Sequence, residues 1–329
     1  LIRNGSATDR EIKYYDFLKK LMNKEFFKAL NIFNKLIIDN PTDLFTAKLG
    51  QIFYFSIGKI GKMLELSNFI IEHNSDNHLA LSMLSFALEE NNYINKAKNN
   101  AIKSIEIEPS DPWAHHTLAH IYEVENNPVK GIEVLNKYRH YWEKCNSFIY
   151  THNWWHISLF YLKQKNIDKV KKIFNRHLWD SPNANKQFSQ DQAGAISLLI
   201  RLKLLNVDVS EEWDNVCSEI SKRDTFYSDP FVSSHFSYAI GSMDNKILKK
   251  KFIENLNLLN ISNNYYDIQV WKKAGVPICY GMMCHAEKDY EKSFKYFNQS
   301  KDYWHLVGGS HTQRNLYEIL YRDAIIKKN

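Results

Sequence analysis

Residues that let two helices pack closely recur at a constant interval in the first part of the chain. Ala29, Met63, Ala97 and Gly131 each directly follow a lysine, and successive members lie 34 residues apart. The apolar residues around them follow a helical spacing. An interval of this length accommodates two helices and one turn. The sequence therefore predicts a series of helical hairpins stacked side by side.

The same interval is the period of the tetratricopeptide repeat, whose unit is one helix-turn-helix. Pro41 and Pro109 fall where the second helix of a unit should end, because proline cannot continue a helix. Asp111 is suited to cap the next helix, and Pro112 is suited to its first turn. First helices are thus predicted to begin near Arg10, Leu44, His78 and Pro112.

The strict repeat ends after the fourth unit. A fifth hairpin is predicted from Thr151 to about Phe174, with a turn at 166–168, and the polar residues 181–190 are predicted to form a linking loop. Further helices are predicted near 192–205, 210–221, 230–241, 247–259, 276–287, 290–302 and 312–327. We expect an all-α solenoid with tetratricopeptide-like repeats in 1–180, capped by a less regular helical region in 181–329.

Composition excludes several classes of protein. Hydrophobic residues make up 44% of the chain and charged residues 24%, which is typical of neither disordered nor fibrous proteins. The 43 basic residues are scattered among 37 acidic ones, so no nucleic-acid partner is expected. No apolar run approaches the roughly 18 residues of a membrane helix, so no membrane partner is expected either. Four cysteines without a C-x-x-C motif indicate reduced thiols in a cytoplasmic protein.

Histidines four residues apart occur in two helix-sized segments, His116 with His120 and His152 with His156. Residues at this spacing project from the same face of a helix. In a tetratricopeptide hairpin the first helix lines the concave surface. The inward positions of the fourth repeat are Trp113, His116, His120 and Glu123.

The fifth hairpin adds His152 and Trp155 to the same surface, with Asn153 beside them and His156 near the edge. Inward positions of the preceding repeats are mostly bulky or apolar. They are Phe45, Lys48, Ile52 and Phe55 in the second repeat and Leu79, Ser82, Phe86 and Glu89 in the third. An apolar, aromatic groove around a histidine-rich floor is typical of a ligand pocket.

The histidines have three interpretations. They could make structural hydrogen bonds only, as buried histidines often do. His116 and His120 could instead share a divalent metal, with a third ligand from Glu123 or His152. Thr117 stands where the metalloprotease motif requires glutamate, and no cofactor is predicted. Acid-base catalysis is the third interpretation, with His116, His120 and Glu123 as candidate catalytic residues.

A glycine turn precedes the predicted last helix. Ser310 and Gln313 have the spacing of a capping box, which explains the turn structurally. Gly308, Gly309 and Arg314 at a helix N-terminus would also suit a carboxylate or phosphate. His235 is a further isolated candidate, whose ordinary explanation is core packing.

Three motifs together resemble the tetratricopeptide repeat protein 38 family. They are Trp113-x-x-His116-Thr117-x-Ala119-His120-x-x-Glu123, His152-Asn153-x-Trp155-His156 and Gly308-Gly309-Ser310-x-x-Gln313-Arg314. Their order and spacing resemble those of the family over essentially the whole chain. After Arg314, Asn315 stands where the family has an acidic residue. The resemblance implies an all-helical protein that shares the histidine-rich floor and the glycine turn, and it names no substrate.

These observations predict a binding protein whose concave groove holds a small molecule or an extended peptide. Trp113 and Trp155 would form apolar walls, the four histidines would donate or accept hydrogen bonds, and Arg314 would contact an anion. Two alternatives remain open. One is an enzyme that uses the histidine cluster for acid-base or metal-assisted chemistry on a small anionic substrate. The other is a scaffold for protein partners in which the histidines are structural.

Overall fold

The computed structural model of this chain describes residues 5–23, 25–226, 229–259 and 268–328. Within these ranges the chain is helical and contains no strand. The first ten helices form consecutive hairpins, as the sequence predicts. They are α1 (Asp9–Met22) with α2 (Phe26–Asp39), α3 (Leu44–Ser56) with α4 (Ile60–His73), α5 (His78–Glu90) with α6 (Ile94–Ile107), α7 (Pro112–Val124) with α8 (Pro128–Tyr138), and α9 (Ser147–Lys163) with α10 (Ile167–Ile173).

Helices of the C-terminal half also follow one another as pairs, but without the strict period. They are α11 (Ser189–Leu204) with α12 (Ser210–Ser221), α13 (Pro230–Ser242) with α14 (Lys246–Leu259), α15 (Ile268–Val270) leading into α16 (Val276–Ala286), then α17 (Tyr290–Ser300) and α18 (His311–Lys327). Short 3₁₀ or π turns extend several of them, at Arg139–Lys144, Phe174–Trp179, Trp271–Gly275 and Lys301–Val307.

Caps and turns repeat with the predicted period in the first hairpins. An Asp or Asn side chain accepts a backbone N–H at the start of α3, α5 and α7, at Asp43, Asn77 and Asp111. A residue with positive φ follows each of these helices, at Gly58, Asn92 and Asn126. Because each set of three is spaced by 34 residues, the tetratricopeptide-like repeat is present in the structure itself.

The residues that first indicated the repeat lie where helices meet. Ala29, Met63 and Ala97 are completely buried. Gly131 lies against the ring of Phe160, where a Cβ atom would approach within 2.5 Å. The predicted register of the first four hairpins is therefore confirmed by their packing.

The fifth hairpin differs in detail from its prediction. Helix α9 begins at Ser147, about one turn before the expected Thr151, because the Asn146 side chain caps it by accepting the N–H of Ile149. The following turn has positive φ at Lys165, so α10 already begins at Ile167 instead of after residue 168.

The C-terminal half closes the solenoid onto its own N-terminal hairpins. A Cβ atom at Gly308 would lie 2.4 Å from the carbonyl oxygen of Ser56, and one at Gly58 would lie 2.7 Å from that of His305. The segment before α18 thus rests directly on the turn between α3 and α4. A continuous apolar core extends from α5 to α18, with Leu88 and Leu320 among its members. The expected self-capping solenoid is confirmed.

The predicted boundary between the two regions, at residues 180 and 181, falls between the π turn and α11. Residues 1–4 and 329 of those regions lie outside the described residues. None of the described helices combines the length and the apolar character that crossing a lipid bilayer requires. The four cysteines are unpaired thiols.

Candidate functional site

The two histidine pairs, which the repeat register places on one concave surface, meet in one cluster, which we call the histidine quartet (His116, His120, His152 and His156). Helices α7 and α9 pack side by side, and each supplies two of its members. Ring centroids lie 4.5 Å apart for His116 and His120 and 4.8 Å apart for His152 and His156. Between the helices, His120 and His156 are 4.7 Å apart. One ring nitrogen from each member lies within 4.8 Å of the others, and every member is buried.

Two acidic residues at the end of α5 face His120 from the side opposite the quartet. The Nδ1 atom of His120 lies 3.2 Å from Glu89 Oε2 and 3.8 Å from Glu90 Oε1. His311, the first residue of α18, approaches the same carboxylates, with Nε2 3.2 Å from Glu89 Oε1. Glu89, Glu90, His120 and His311 therefore form a second group, which shares His120 with the quartet.

Glu123 lies beside His156. Its Oε2 atom is 3.6 Å from His156 Nδ1, and its Oε1 atom is 3.9 Å from Lys163 Nζ. The expected carboxylate partner of a quartet histidine is thus present, but Glu89 and not Glu123 fills that position for His120.

Burial decides the protonation of most of the quartet. It lowers the pKa values of His116, His152 and His156 well below the usual range of imidazole, and neighbouring histidines add to the effect. Burial acts on the pKa of His120 in the same direction, but the carboxylates of Glu89 and Glu90 raise it overall. Three of the four imidazoles are therefore neutral at physiological pH, with a lone pair on one nitrogen.

A cavity of about 370 Å³ lies between the N-terminal hairpins and the C-terminal half, and we call it the aromatic cavity. Its aromatic wall consists of Phe55, Phe86, Trp113, Phe148, Phe188 and Phe231. The charged residues on its wall are Lys48 and Asp229, and its other polar groups include Gln51, His116, His152 and Ser310. Its size and its mixture of aromatic and polar groups are those of a small-molecule site.

Lys48 supplies a basic group to this cavity. Its Nζ atom lies 3.5 Å from the ring centroid of Trp113 and donates a hydrogen bond to Gln51 Oε1 at 2.9 Å. Burial lowers the pKa of Lys48 to about 7, although the charge of Asp111 opposes the shift. Lys48 consequently changes its charge near neutral pH.

A second cavity, of about 530 Å³, lies on the other side of the cluster and is lined by Glu123, Arg201 and His311. The Arg201 guanidinium donates a hydrogen bond to the carbonyl of Ser197 at 3.1 Å and lies over the ring of Trp155. Burial lowers the pKa of Arg201 to about 10. His116 and His152 line the aromatic cavity, whereas the second cavity is lined by Glu123 and His311, which lie against His156 and His120.

Three other predicted residues have mainly structural contacts: Trp155 and Asn153 in α9 and His235 in α13. Trp155 is buried, and its ring stacks on His152 at a centroid distance of 5.4 Å. Asn153 donates a hydrogen bond to the Pro112 carbonyl at 3.1 Å, which joins α9 to the start of α7. His235 lies in the packed core and bonds through Nδ1 to the Phe231 carbonyl at 2.9 Å, and burial lowers its pKa to about 4.

The glycine turn is built as the sequence indicated. Ser310 Oγ accepts the N–H of Gln313 at 3.2 Å, and Gln313 Oε1 accepts the N–H of Ser310 at 2.9 Å, so the capping box is complete. Arg314 donates from Nη1 to the carbonyls of Gly308 and Gly309. The guanidinium thus holds its own turn, while Gly309 and Ser310 line the aromatic cavity.

Several residues of the site were absent from the predicted set. Lys48 and Glu89 occupy inward repeat positions, so the repeat register was a signal that could have found them. Glu90 lies one position further along α5, where the register predicts no inward side chain. His311 comes from the far end of the chain and reaches the cluster only because the solenoid closes.

No protein-family model matches the chain. Among solved structures, the chain is similar to one in the crystal structure of the APC/C hetero-tetramer Cut9-Hcn1, with a TM-score of 0.49 and 14% sequence identity, and the match covers 98% of this chain and 57% of that one. It is also similar to a tetratricopeptide repeat protein from Parabacteroides merdae ATCC 43184, with a TM-score of 0.43, 11% identity and coverage of 96% and 98%. The P58(IPK) TPR domain matches with a TM-score of 0.26, 11% identity and coverage of 97% and 98%. The chain thus spans little more than half the length of the Cut9-Hcn1 chain.

Proposed function

We propose that this chain is a cytoplasmic binding protein that holds a small molecule in the aromatic cavity. The proposed ligand has an apolar body and one anionic group. The observation that carries the proposal is the presence of Lys48 in a wall otherwise rich in aromatic rings. Of the two ligand classes that the sequence left open, the small molecule is favoured over the extended peptide because the glycine turn and Phe231 lie across the groove from Phe86 and Trp113.

Charge supports the anionic group. A carboxylate beside Lys48 would favour the protonated ammonium, because opposite charges stabilise each other in a poorly solvated site. The free protein holds Lys48 at a pKa of about 7. Binding of an anion is therefore expected to be accompanied by proton uptake at neutral pH.

We also infer kinship with the tetratricopeptide repeat protein 38 family from the three motifs. The support is spatial. His311, within the glycine-turn segment, lies beside the carboxylate of Glu89, which in turn contacts His120 of the first motif. His116 and His152, from the first two motifs, lie 4.9 Å apart between ring centroids. Motifs distant in sequence thus share one site.

A second candidate function is an enzyme that uses this cavity for acid-base chemistry. Lys48 favours it, because a group with a pKa of about 7 is well matched to proton transfer at neutral pH. If Lys48 acts as the general acid, the rate should fall as the pH rises above about 7, and Lys48→Met should lose most of the activity at neutral pH. The binding-protein proposal requires no turnover.

The test is thermal unfolding in the presence of small aromatic and aliphatic carboxylates, each paired with its neutral amide. A ligand at about 100 times its dissociation constant should raise the melting temperature by roughly 2–5 °C. Lys48→Met should lose the shift caused by carboxylates and keep any shift caused by amides. Lys35→Met, at an exposed position of α2, is the matched control and should behave as wild type.

Two results would contradict the proposal. One is a panel in which no compound raises the melting temperature, together with a native mass spectrum of the purified protein that shows no added small molecule. The other is a carboxylate shift of equal size in wild type and Lys48→Met. The first result would direct attention to protein partners on the outer surface, and the second to a carboxylate site that does not use Lys48.

A further inference from the structure

Ring nitrogens of the histidine quartet are spaced nearly as ligands of a single metal ion. His116 Nε2 and His120 Nε2 are 3.1 Å apart. Two imidazole nitrogens bound to one tetrahedral zinc ion, each about 2.0–2.1 Å from it, would be about 3.3 Å apart. One nitrogen from each of the four rings lies within 4.8 Å of the others. Side-chain rotations that move these atoms by about 1 Å would bring them to the spacing of zinc ligands.

Carboxylates lie beside the Nδ1 atoms of two of these rings. Glu89 Oε2 lies 3.2 Å from His120 Nδ1, and Glu123 Oε2 lies 3.6 Å from His156 Nδ1. Metal-binding histidines usually give their second N–H to such a carboxylate, which sets the tautomer and the ring orientation. Neither contact has the geometry of a hydrogen bond in this structure, but an Nδ1–H turned towards its carboxylate would leave Nε2 with its lone pair. For His156, both ring nitrogens are buried and make no hydrogen bond to any described residue.

We propose that His116, His120, His152 and His156 bind one divalent transition-metal ion of the zinc class. Glu89 and Glu123 are positioning residues, which hold His120 and His156 in their metal-binding orientation. Neutral imidazole nitrogens suit zinc, cobalt, nickel or copper, whereas magnesium and calcium prefer oxygen ligands. The ion would be reached from the aromatic cavity, which His116 and His152 line.

The site is independent of the proposed small-molecule function. Metal binding without a carboxylate shift, or a carboxylate shift without metal binding, would overturn one proposal and leave the other standing.

The second group, formed by Glu89, Glu90, His120 and His311, is the competing location for an ion. It would use His120 Nδ1 and two carboxylates, and it would need His311. The quartet is favoured because all four of its ligands are buried imidazoles, whereas the His311 side chain is 39% exposed. His152 belongs only to the quartet and His311 only to the second group, so their variants distinguish the two locations.

The experiment uses the untagged full chain, freed of metal by dialysis against a chelator and then titrated with zinc chloride alone. Elemental analysis after gel filtration should find one zinc ion per chain, and zinc should raise the melting temperature. Competition with a chromogenic chelator should show an affinity loss of at least about 100-fold for His152→Ala and of about 10- to 100-fold for Glu89→Gln. His311→Ala should remain within a few fold of wild type. His73→Ala, at an exposed position of α4, is the control for surface histidines.

The proposal is overturned if wild-type protein retains no zinc, or if His311→Ala loses zinc while His152→Ala keeps it. Equal retention by wild type, His152→Ala and His311→Ala would mean adventitious surface binding and would overturn it as well. Circular dichroism checks that each variant is folded. Should His152→Ala fail to fold, the visible spectrum of the cobalt-substituted wild type decides. Intense bands of four-coordinate cobalt support the quartet, and the weak bands of an octahedral oxygen-rich site contradict it.

Discussion

At the scale of single residues, Asp111 determines how α7 presents its histidines. Its carboxylate accepts the N–H of Trp113 at 2.9 Å and thereby begins the helix. The same side chain accepts hydrogen bonds from Ser104 Oγ and His78 Nδ1, each at 3.0 Å. Burial alone would raise the pKa of Asp111, but these hydrogen bonds lower it overall. One buried carboxylate thus joins α5, α6 and the start of α7.

The pair of His78 and Asp111 predicts a dependence of stability on pH. The hydrogen bond between His78 and Asp111 raises the pKa of His78 above the usual 6.5. The stabilisation is therefore complete at pH values below the pKa of His78 in the unfolded chain. It is lost as the pH rises through the higher pKa that His78 has in the folded protein. In His78→Gln, which keeps a donor without a charge, the free energy of unfolding in urea at about pH 6 should fall by about 1 kcal/mol or less. The deficit relative to wild type should shrink towards about pH 9.

The control for this prediction is His73→Gln, at an exposed position of α4. The deficit of His78→Gln should change more between about pH 6 and about pH 9 than that of His73→Gln. A constant deficit for His78→Gln would show that the charge on His78 contributes nothing to stability.

At the scale of helices, close approach between α8 and α9 holds the fourth hairpin against the fifth. Gly131 in α8 faces the ring of Phe160 in α9, and that ring is completely buried. A buried ring has little room to move away, because protein interiors are packed as densely as organic crystals. The position of α9, and with it of His152 and His156, depends on the absence of a side chain at residue 131.

We therefore expect Gly131→Ala to be destabilising. Alanine favours a helix over glycine by about 1 kcal/mol, but overpacking against Phe160 costs about 1–3 kcal/mol. The free energy of unfolding should fall by up to about 2 kcal/mol. Gly194→Ala in α11, where an added Cβ atom meets nothing within 4 Å, should raise it by up to about 1 kcal/mol. Equal changes in the two variants would mean that the contact with Phe160 has no energetic role.

At the scale of the whole molecule, closure of the solenoid converts an open groove into an enclosed site. The contact between the Gly308 turn and the α3–α4 turn is made by backbone atoms at close range. Gly308 has a φ of 78°, a conformation that other residues adopt at a cost. Closure brings α18 to the carboxylates of α5, through His311 and Glu89.

Substitution of Gly308 by alanine should weaken this closure. The left-handed conformation costs about 1–2 kcal/mol, and the added methyl group would collide with the Ser56 carbonyl. We expect a loss of about 2–4 kcal/mol in unfolding free energy and faster limited proteolysis of α18. Gly5→Ala, with a φ of 69° and no neighbour within 4 Å, is the control: it should lose at most the conformational cost of about 1–2 kcal/mol and should not speed the proteolysis of α18. Unchanged proteolysis of Gly308→Ala would show that the contact between Gly308 and Ser56 does not keep the solenoid closed.

Repeat length, the starts of the first helices in the first four hairpins and the inward positions of α7 followed from the sequence, because caps, turn residues and apolar spacing act within a few residues of one another. Asp43, Asn77 and Asp111 show this directly. The repeat register also put the two histidine pairs on one surface, but their distances within a single cluster required the packing of α7 on α9. The addition of Glu90 and His311 required the closure of the entire solenoid. Closure is the sum of small rotations between successive hairpins and of contacts such as Gly308 with Ser56, which lie far apart in the chain. Only the tertiary structure combines these distant contributions, and it alone decided which polar side chains share a site.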